Sequence, residues 1–281
     1  MQLTAISVCV NYSDFFAWSA LANRGLFSKW IIVTDTKDVK TKAIANYYGY
    51  QCIQTDIFYE GGSFKKFNGI NVGLEKAGKE WILFLDSDIV LPPITKRVFD
   101  SLSFNQENLY GIDRINFTNF NQWVNYCNNP NLIVDNWLMT SAGGEFGSRI
   151  NHYYGQQGDN GKFTGWKPLG FFQLAHKSQF TEYPSECKGA DHCDIVFANQ
   201  WDREKRVLIP EIMGIHLETE NNKWGVNWQG RKSAMFIPDT PISKGILDYN
   251  TEPSEFAKKL FKDWDDKIKL KNQLNLFDGK Y

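Results

Sequence analysis

The chain has 281 residues, 42% hydrophobic and 22% charged, enough apolar material for a full globular core in one large domain or two small ones. A formal net charge of −1 removes any global electrostatic pull toward nucleic acid or an anionic membrane, though it leaves room for a local basic patch. No apolar run approaches the length needed to cross a bilayer.

Leu3 to Val10 reads as a first strand, ending at Asn11-Tyr12-Ser13-Asp14, where turn and N-cap residue types announce a helix over Phe15 to Asn23. Lys29 to Asp35 is a second short apolar strand with an acidic end. Val39 to Tyr48 has helical spacing before Gly49, and Gln51 to Asp56 makes a third strand. Strands alternating with helices predict a parallel sheet covered on both faces, whose ligands bind beyond the carboxyl ends of the strands.

The most informative stretch is Trp81-Ile82-Leu83-Phe84-Leu85-Asp86-Ser87-Asp88-Ile89-Val90. Five consecutive apolar residues predict a strand buried on both faces. Two carboxylates at its end need a counter-charge, because buried unpaired carboxylates cost several kcal/mol. Side chains alternate along a strand, so Asp86 and Asp88 point to the same side while Ser87 points away, and they offer hard oxygen donors suited to Mg²⁺ or Mn²⁺. The competing reading is a loop-entry turn capped by two aspartates.

This run resembles the D-x-D motif of nucleotide-sugar-dependent glycosyltransferases of the GT-A fold, and the preceding segment, residues 67–80, resembles the helix that leads into the motif. The similarity extends in order over roughly residues 3 to 235 and is most specific over 64 to 93. The resemblance implies an α/β protein with a Rossmann-like mixed central sheet flanked by helices. It divides residues 1–235 into a donor half, about 1–115, and an acceptor half, about 116–235, followed by a C-terminal extension over 236–281. It also implies that Tyr12 and Asp35 hold a base and ribose, with a helix-cap role as the competing reading for Asp35. Lys66 and Asn71 would reach the donor, although a solvated pair is the alternative for Lys65 and Lys66.

Beyond Pro93, Lys96 to Leu102 reads as a helix and Leu109 to Arg114 as a strand, whereas 116 to 165, rich in Asn, Gly and aromatic residues, reads as loops and short strands. Gly165 to Ala175 resembles the strand that passes beneath the acceptor. A helix beginning near 190 would carry Asp191 and Asp194 on one face. By resemblance one of them, Asp191 ahead of Asp194, removes the acceptor proton; an N-cap role competes, and the family's usual Glu-Asp pair is here Ala190-Asp191. Val207 to Glu211 and Ile212 to Leu217 are strand-like. His216 occupies the place where several GT-A families carry a third metal ligand, beside Asp86 and Asp88, while a packed core histidine is the alternative. Gly230 with Arg231 and Lys232 suits a loop closing over a diphosphate, Arg231 being the fork-shaped clamp, while a solvent-exposed loop is the alternative. From Pro238 onward the chain reads as an appendage with an amphipathic helix over Glu255 to Leu270.

The expectation is an enzyme that transfers a sugar from a nucleoside diphosphate sugar, a UDP-sugar first, to a hydroxyl acceptor with the aid of Mn²⁺ or Mg²⁺. A glycan or lipid precursor is the default acceptor. A phage-type enzyme acting on hydroxymethylated bases in DNA and a nucleotidyltransferase are the alternatives, although no glycine- and lysine-rich activating loop follows the first strand. Met1-Gln2-Leu3-Thr4 lacks signal-peptide features, and the five scattered cysteines read as free thiols, so a cytoplasmic location is expected. Cys187, His192 and Cys193 are close together in sequence but lack an evident fourth zinc ligand.

Overall fold

The computed structural model describes residues 1–62, 64–117, 119–128, 148–150, 167–186, 193–218 and 236. The chain divides into two compact units, Met1–Phe236 and Ile237–Tyr281; the C-terminal extension and its expected helix lie outside the described residues.

In the first unit β1 (Leu3–Val8), α1 (Ser13–Ala22), β2 (Lys29–Asp35), α2 (Val39–Tyr47), β3 (Gln51–Thr55), α3 (Lys66–Glu75) and β4 (Trp81–Leu85) follow the alternation read from the sequence. Next come β5 (Ile89–Val90), α4 (Ile94–Ser101), β6 (Leu109–Phe117), α5 (Phe120–Asn128), β7 (Ser148–Ile150), β8 (Phe172–His176), α6 (Cys193–Ala198) and β9 (Arg206–Leu217). Among the described residues these nine strands form one sheet in the order β3-β2-β1-β4-β8-β6-β9-β5, with β7 pairing the outer part of β6. The first four strands are parallel. β8 runs antiparallel to both β4 and β6, so the sheet is mixed.

β4 explains the core. Trp81, Leu83 and Leu85 pack on one face with Phe16 and Ala20 of α1 and Ala45 of α2, while Ile82 and Phe84 pack on the other with Phe67, Ile70 and Leu74 of α3 and Phe197 of α6. A strand covered on both sides has no solvent face to reserve for polar residues, which is why its sequence is uniformly apolar. Two glycines let α3 lie close to the sheet. A Cβ on Gly73 would stand 2.6 Å from Ile6 Cγ2, and one on Gly69 would stand 2.8 Å from Val8 Cγ2 and 2.5 Å from the Phe58 ring. Gly73→Val should therefore lift α3 and destabilise the fold by about 1–3 kcal/mol, the usual cost of overpacking. Urea denaturation checks this, and an unchanged midpoint would refute the close approach.

Two segments differ from the sequence reading. Residues 120–128, expected as loop, form α5, because Phe120, Trp123 and Tyr126 recur at helical spacing and are buried, while Asn119 Oδ1 accepts the Gln122 N–H at 3.0 Å and caps the start. An Asn- and aromatic-rich composition concealed a helical stripe. The two strand-like pieces over 207–217 are one strand, β9, parallel to β6, with a register shift opposite Ile112. Exposed Pro210 sits in that bulge, where its missing N–H costs no ladder bond.

Candidate active site

Chain order and sheet order part company at β1: the chain steps outward through β2 and β3, then returns to place β4 on the other side of β1. The carboxyl ends of β1 and β4 therefore flank a topological switch point, the standard position of a ligand crevice. Tyr12 lies just beyond one end and Asp86 beyond the other.

The pleat does not continue through the two aspartates. β4 ends at Leu85, and Asp86 to Ile89 form a turn in which Ile89 N–H donates to Asp86 O at 3.2 Å. α1 clamps that turn from one side: the Ser19 hydroxyl donates to Ser87 O, Asn23 Nδ2 donates to Ile89 O at 2.8 Å, and Asn23 Oδ1 accepts from Leu91 N–H at 2.8 Å. The expectation that strand alternation aligns the carboxylates thus fails, and each takes its own partner. Asp86 pairs with Lys66 from the first turn of α3, and Asp88 meets His216 of β9.

Sheet register brings His216 in. β5 pairs antiparallel with β9, matching Ile89 to His216, and Leu217 N–H donates to Asp88 O at 2.9 Å. His216 Nε2 lies 3.2 Å from Asp88 Oδ2. Its Nδ1 faces Glu218 Oε1 at 2.8 Å and Asn116 Oδ1 at 3.2 Å. Asn116 is the β6 partner of His216 in register. Because an Nδ1–H donates to Glu218, the neutral ring carries its lone pair at Nε2, directed at Asp88. A lone pair facing a carboxylate oxygen requires a proton or a cation between them. Asp88 Oδ1 is buried and has no hydrogen-bond partner among the described residues.

The charges are strongly interdependent. Burial and Arg114 both oppose protonation of His216, yet Asp88 and Glu218 outweigh them and raise it from 6.5 to about 9. Burial likewise works against ionisation of Asp88, but His216 and then Arg114 hold this carboxyl below its usual range. Asp86 is pushed up by burial, an effect that Lys66 opposes and Asp88 reinforces. Among the described residues no three His, Cys or carboxylate side chains form a ready-made cation cage. The donor set facing one point is the pair Asp88 and His216, with Asp86 turned toward Lys66.

The other expected site residues divide. Tyr12 follows Asn11, whose positive φ of 58° turns the chain at the end of β1, and its ring stacks on Phe15 at 5.3 Å. Asp38, which sequence reading passed over, secures this turn: it accepts the Asn11 N–H at 2.7 Å and caps α2 through the Thr41 N–H at 3.1 Å. Asp35 closes a turn by accepting the Lys37 N–H at 2.8 Å, so Asp38 and not Asp35 is the cap of α2. Asp194 stands in the first turn of α6, with Oδ2 accepting the Gly170 N–H at 2.7 Å and Oδ1 the Ile195 N–H at 2.9 Å. Cys193 is buried in the same turn. Asp191, Arg231, Cys187 and His192 lie outside the described residues.

Asn71 is directed elsewhere. Its Nδ2 donates to Tyr183 O at 2.9 Å and its Oδ1 accepts the Tyr183 N–H at 2.7 Å, a framework link between α3 and the segment after β8. Asn71→Ala should cost about 1–3 kcal/mol, the penalty for stranding two partly buried backbone groups. Denaturation measures that loss, and calorimetry should find nucleoside diphosphate affinity unchanged; a drop in affinity without a drop in stability would restore a ligand-contacting role.

The family model described as Glycosyl transferase family 2 matches residues 16–164, more than half of the chain. The chain belongs to glycosyl transferase family 2. No curated protein is significantly similar to this family 2 chain in sequence. Among solved structures it is similar to residues 1–349 of S. aureus TarS in complex with UDP-GlcNAc, at 14% identity and a TM-score of 0.50, covering 79% of this chain and 60% of that one. It thus spans about 60% of the TarS chain. Mannosyl-3-phosphoglycerate synthase from Rubrobacter xylanophilus matches at 12% identity and a TM-score of 0.44, covering 80% of this chain and 68% of that one. Glucosyl-3-phosphoglycerate synthase from Mycobacterium tuberculosis, in complex with Mn²⁺ and UDP-Glc, matches at 12% identity and a TM-score of 0.43, covering 80% and 73%. The mixed sheet with helices on both faces is the GT-A fold expected from the D-x-D segment. No helix among the described residues is long and apolar enough to cross a membrane.

Proposed function

We propose that this family 2 chain transfers a sugar from a nucleoside diphosphate sugar to a hydroxyl acceptor, with Asp88 and His216 as protein ligands of a divalent cation. One observation carries the reading: a buried carboxylate whose Oδ2 faces an imidazole nitrogen at 3.2 Å while its Oδ1 has no partner among the described residues. Leaving such an oxygen unsatisfied costs about 1–3 kcal/mol or more for a charged group, which a cation would relieve. Two protein donors leave positions for water and diphosphate oxygens, as Mn²⁺ and Mg²⁺ sites do. UDP is the preferred nucleotide because the TarS chain of like fold carries UDP-GlcNAc.

When bound, the cation supplies Lewis acidity that stabilises the departing diphosphate. The chain's own residues do the rest. Lys66 holds Asp86 and adds positive charge beside the diphosphate. Tyr12 and Asp35 hold base and ribose at the carboxyl ends of β1 and β2, and Arg231 clamps the diphosphate. Asp194 engages both carboxylate oxygens with backbone N–H groups, a helix-start role, which favours Asp191 as the group that accepts the acceptor proton.

Incubation of the purified chain with UDP-sugars and Mn²⁺ tests the reading, because slow donor hydrolysis reports transfer competence without a known acceptor. Release of UDP from one sugar is the expected result; no release from any donor, with no binding of UDP, would reject it. With a transfer acceptor in hand, Asp191→Asn should lower turnover at least about a hundredfold, the worth of a positioned base. Asp194→Asn should act chiefly on stability; the reverse pattern would exchange the two roles.

A further inference from the structure

Among the described residues, the carboxylates around the D-x-D turn each have a hydrogen-bond or ion-pair partner, and Arg114 has none. Asp86 is held by Lys66, Asp88 and Glu218 by His216, and Asp194 by two backbone N–H groups. Arg114 stands among these four carboxylates and forms no ion pair with any of them among the described residues. Its Nε is buried without a hydrogen-bond partner there. A guanidinium has five N–H donors in a planar fork, so with Nε enclosed it is the outer edge of the fork that can take a ligand. The guanidinium is pre-oriented: its carbon lies 4.5 Å from the centre of the Phe171 ring, a stacking that fixes the plane of the fork without using its donors. Backbone register places it as well. Arg114 and Asn116 are two apart on β6 and share a face, and their β9 partners are Gly214 and His216. A glycine opposite the arginine and the candidate ligand pair one step further leave Arg114 at the edge of the reaction centre.

Phe171 decides which side of that centre is involved. It immediately follows Gly170, whose N–H is held by Asp194, and Asp86 N–H donates to Phe171 O at 3.1 Å. Arg114 therefore rests on the segment between the D-x-D turn and α6, the side opposite Tyr12 and the carboxyl end of β1. Resting on the glycosyltransferase reading above, we infer that Arg114 binds an oxyanion carried by the acceptor, so that the acceptor class is a hydroxyl compound bearing a phosphate or carboxylate near the reacting hydroxyl. A fork over an aromatic ring recognises a planar or tetrahedral oxyanion through two parallel bonds, and its charge offsets that of the carboxylates nearby.

The test uses calorimetry on the full chain with Mn²⁺ and UDP, glycerol 3-phosphate as the anionic probe and glycerol as the neutral one. The UDP-loaded protein should bind glycerol 3-phosphate and not glycerol. Arg114→Gln should weaken the phosphate ester at least about tenfold, as expected for the loss of a bidentate charge-assisted contact, and by a clearly larger factor than it changes UDP affinity. Arg114→Lys, which keeps the charge and loses the fork, should recover only part of the binding, and a thermal melt confirms that both variants are folded. Glycerol 3-phosphate binding that persists in Arg114→Gln overturns the inference. So does a large loss of UDP affinity with no phosphate ester bound by the wild type, which would assign the arginine to the donor diphosphate. Arg114-dependent binding of the ester by a protein that does not bind UDP would uphold the oxyanion site and reject the donor reading instead.

Discussion

Asp88→Asn should abolish Mn²⁺-dependent binding of UDP and reduce donor hydrolysis by at least about a hundredfold, while leaving the fold intact. The substitution keeps the size of the side chain and the Leu217 N–H bond to the backbone of residue 88, so β5 still pairs with β9. It removes the anionic charge that makes Oδ1 and Oδ2 cation ligands. A Lewis acid at the leaving group is worth several kcal/mol, which sets the size of the loss. Calorimetric titration of UDP with and without Mn²⁺ gives the decisive comparison. Equal affinities for wild type and variant in the presence of Mn²⁺ would remove Asp88 from the metal, whereas a parallel loss for Asp86→Asn alone would move the ligand two residues back.

Proton and cation should compete for His216. The imidazole holds its proton up to about 9 because Asp88 and Glu218 together outweigh burial and Arg114. A cation needs the neutral ring, so Mn²⁺ affinity should fall as pH is lowered from 9 to 6, and His216→Gln should flatten that dependence. Stability of the metal-free protein should run the other way. A folded pKa above the unfolded one gives a contribution fully present below about 6.5 and lost as pH rises through about 9. The difference in melting midpoint between wild type and His216→Gln should thus be largest near pH 6 and shrink toward pH 10. A difference that grows with pH would reverse the sign and discard the buried ion pair.

How legible this was depends on the residue. β1 to β4 are local apolar runs with acidic or Asn-rich ends, and alternation with helices implies a parallel sheet, so a crevice at the carboxyl ends that includes Asp86 follows from the chain alone, whereas the strand order does not. The pairing of Asp88 with His216 was inferred only through family resemblance, since no local rule links positions 128 apart. Glu218 and Asn116 were missed because their roles are defined by what faces His216 across two strands. One signal for Glu218 was present: a carboxylate two residues from a histidine in an apolar strand shares its face. Arg114 was read as the end of a strand, and its sequence context carries no mark of the carboxylates around it. Asn71 is a different case. Its position before the motif resembled a donor contact, but two well-placed backbone groups of Tyr183 take its amide.

β9 has a further consequence for how the molecule matures. It is the strand that joins β6 to β5, and it supplies His216 to a turn formed from the first third of the chain. Until residue 216 has left the ribosome and docked, Asp88 lacks its imidazole partner, while Asp86 already has Lys66. Pairings so distant in sequence are slow to form, because the loop must close before any contact rewards it. Catalytic competence should therefore emerge late, after the parallel half of the sheet is built, and a chain stalled before β9 would be folded in part yet unable to engage a metal–nucleotide complex.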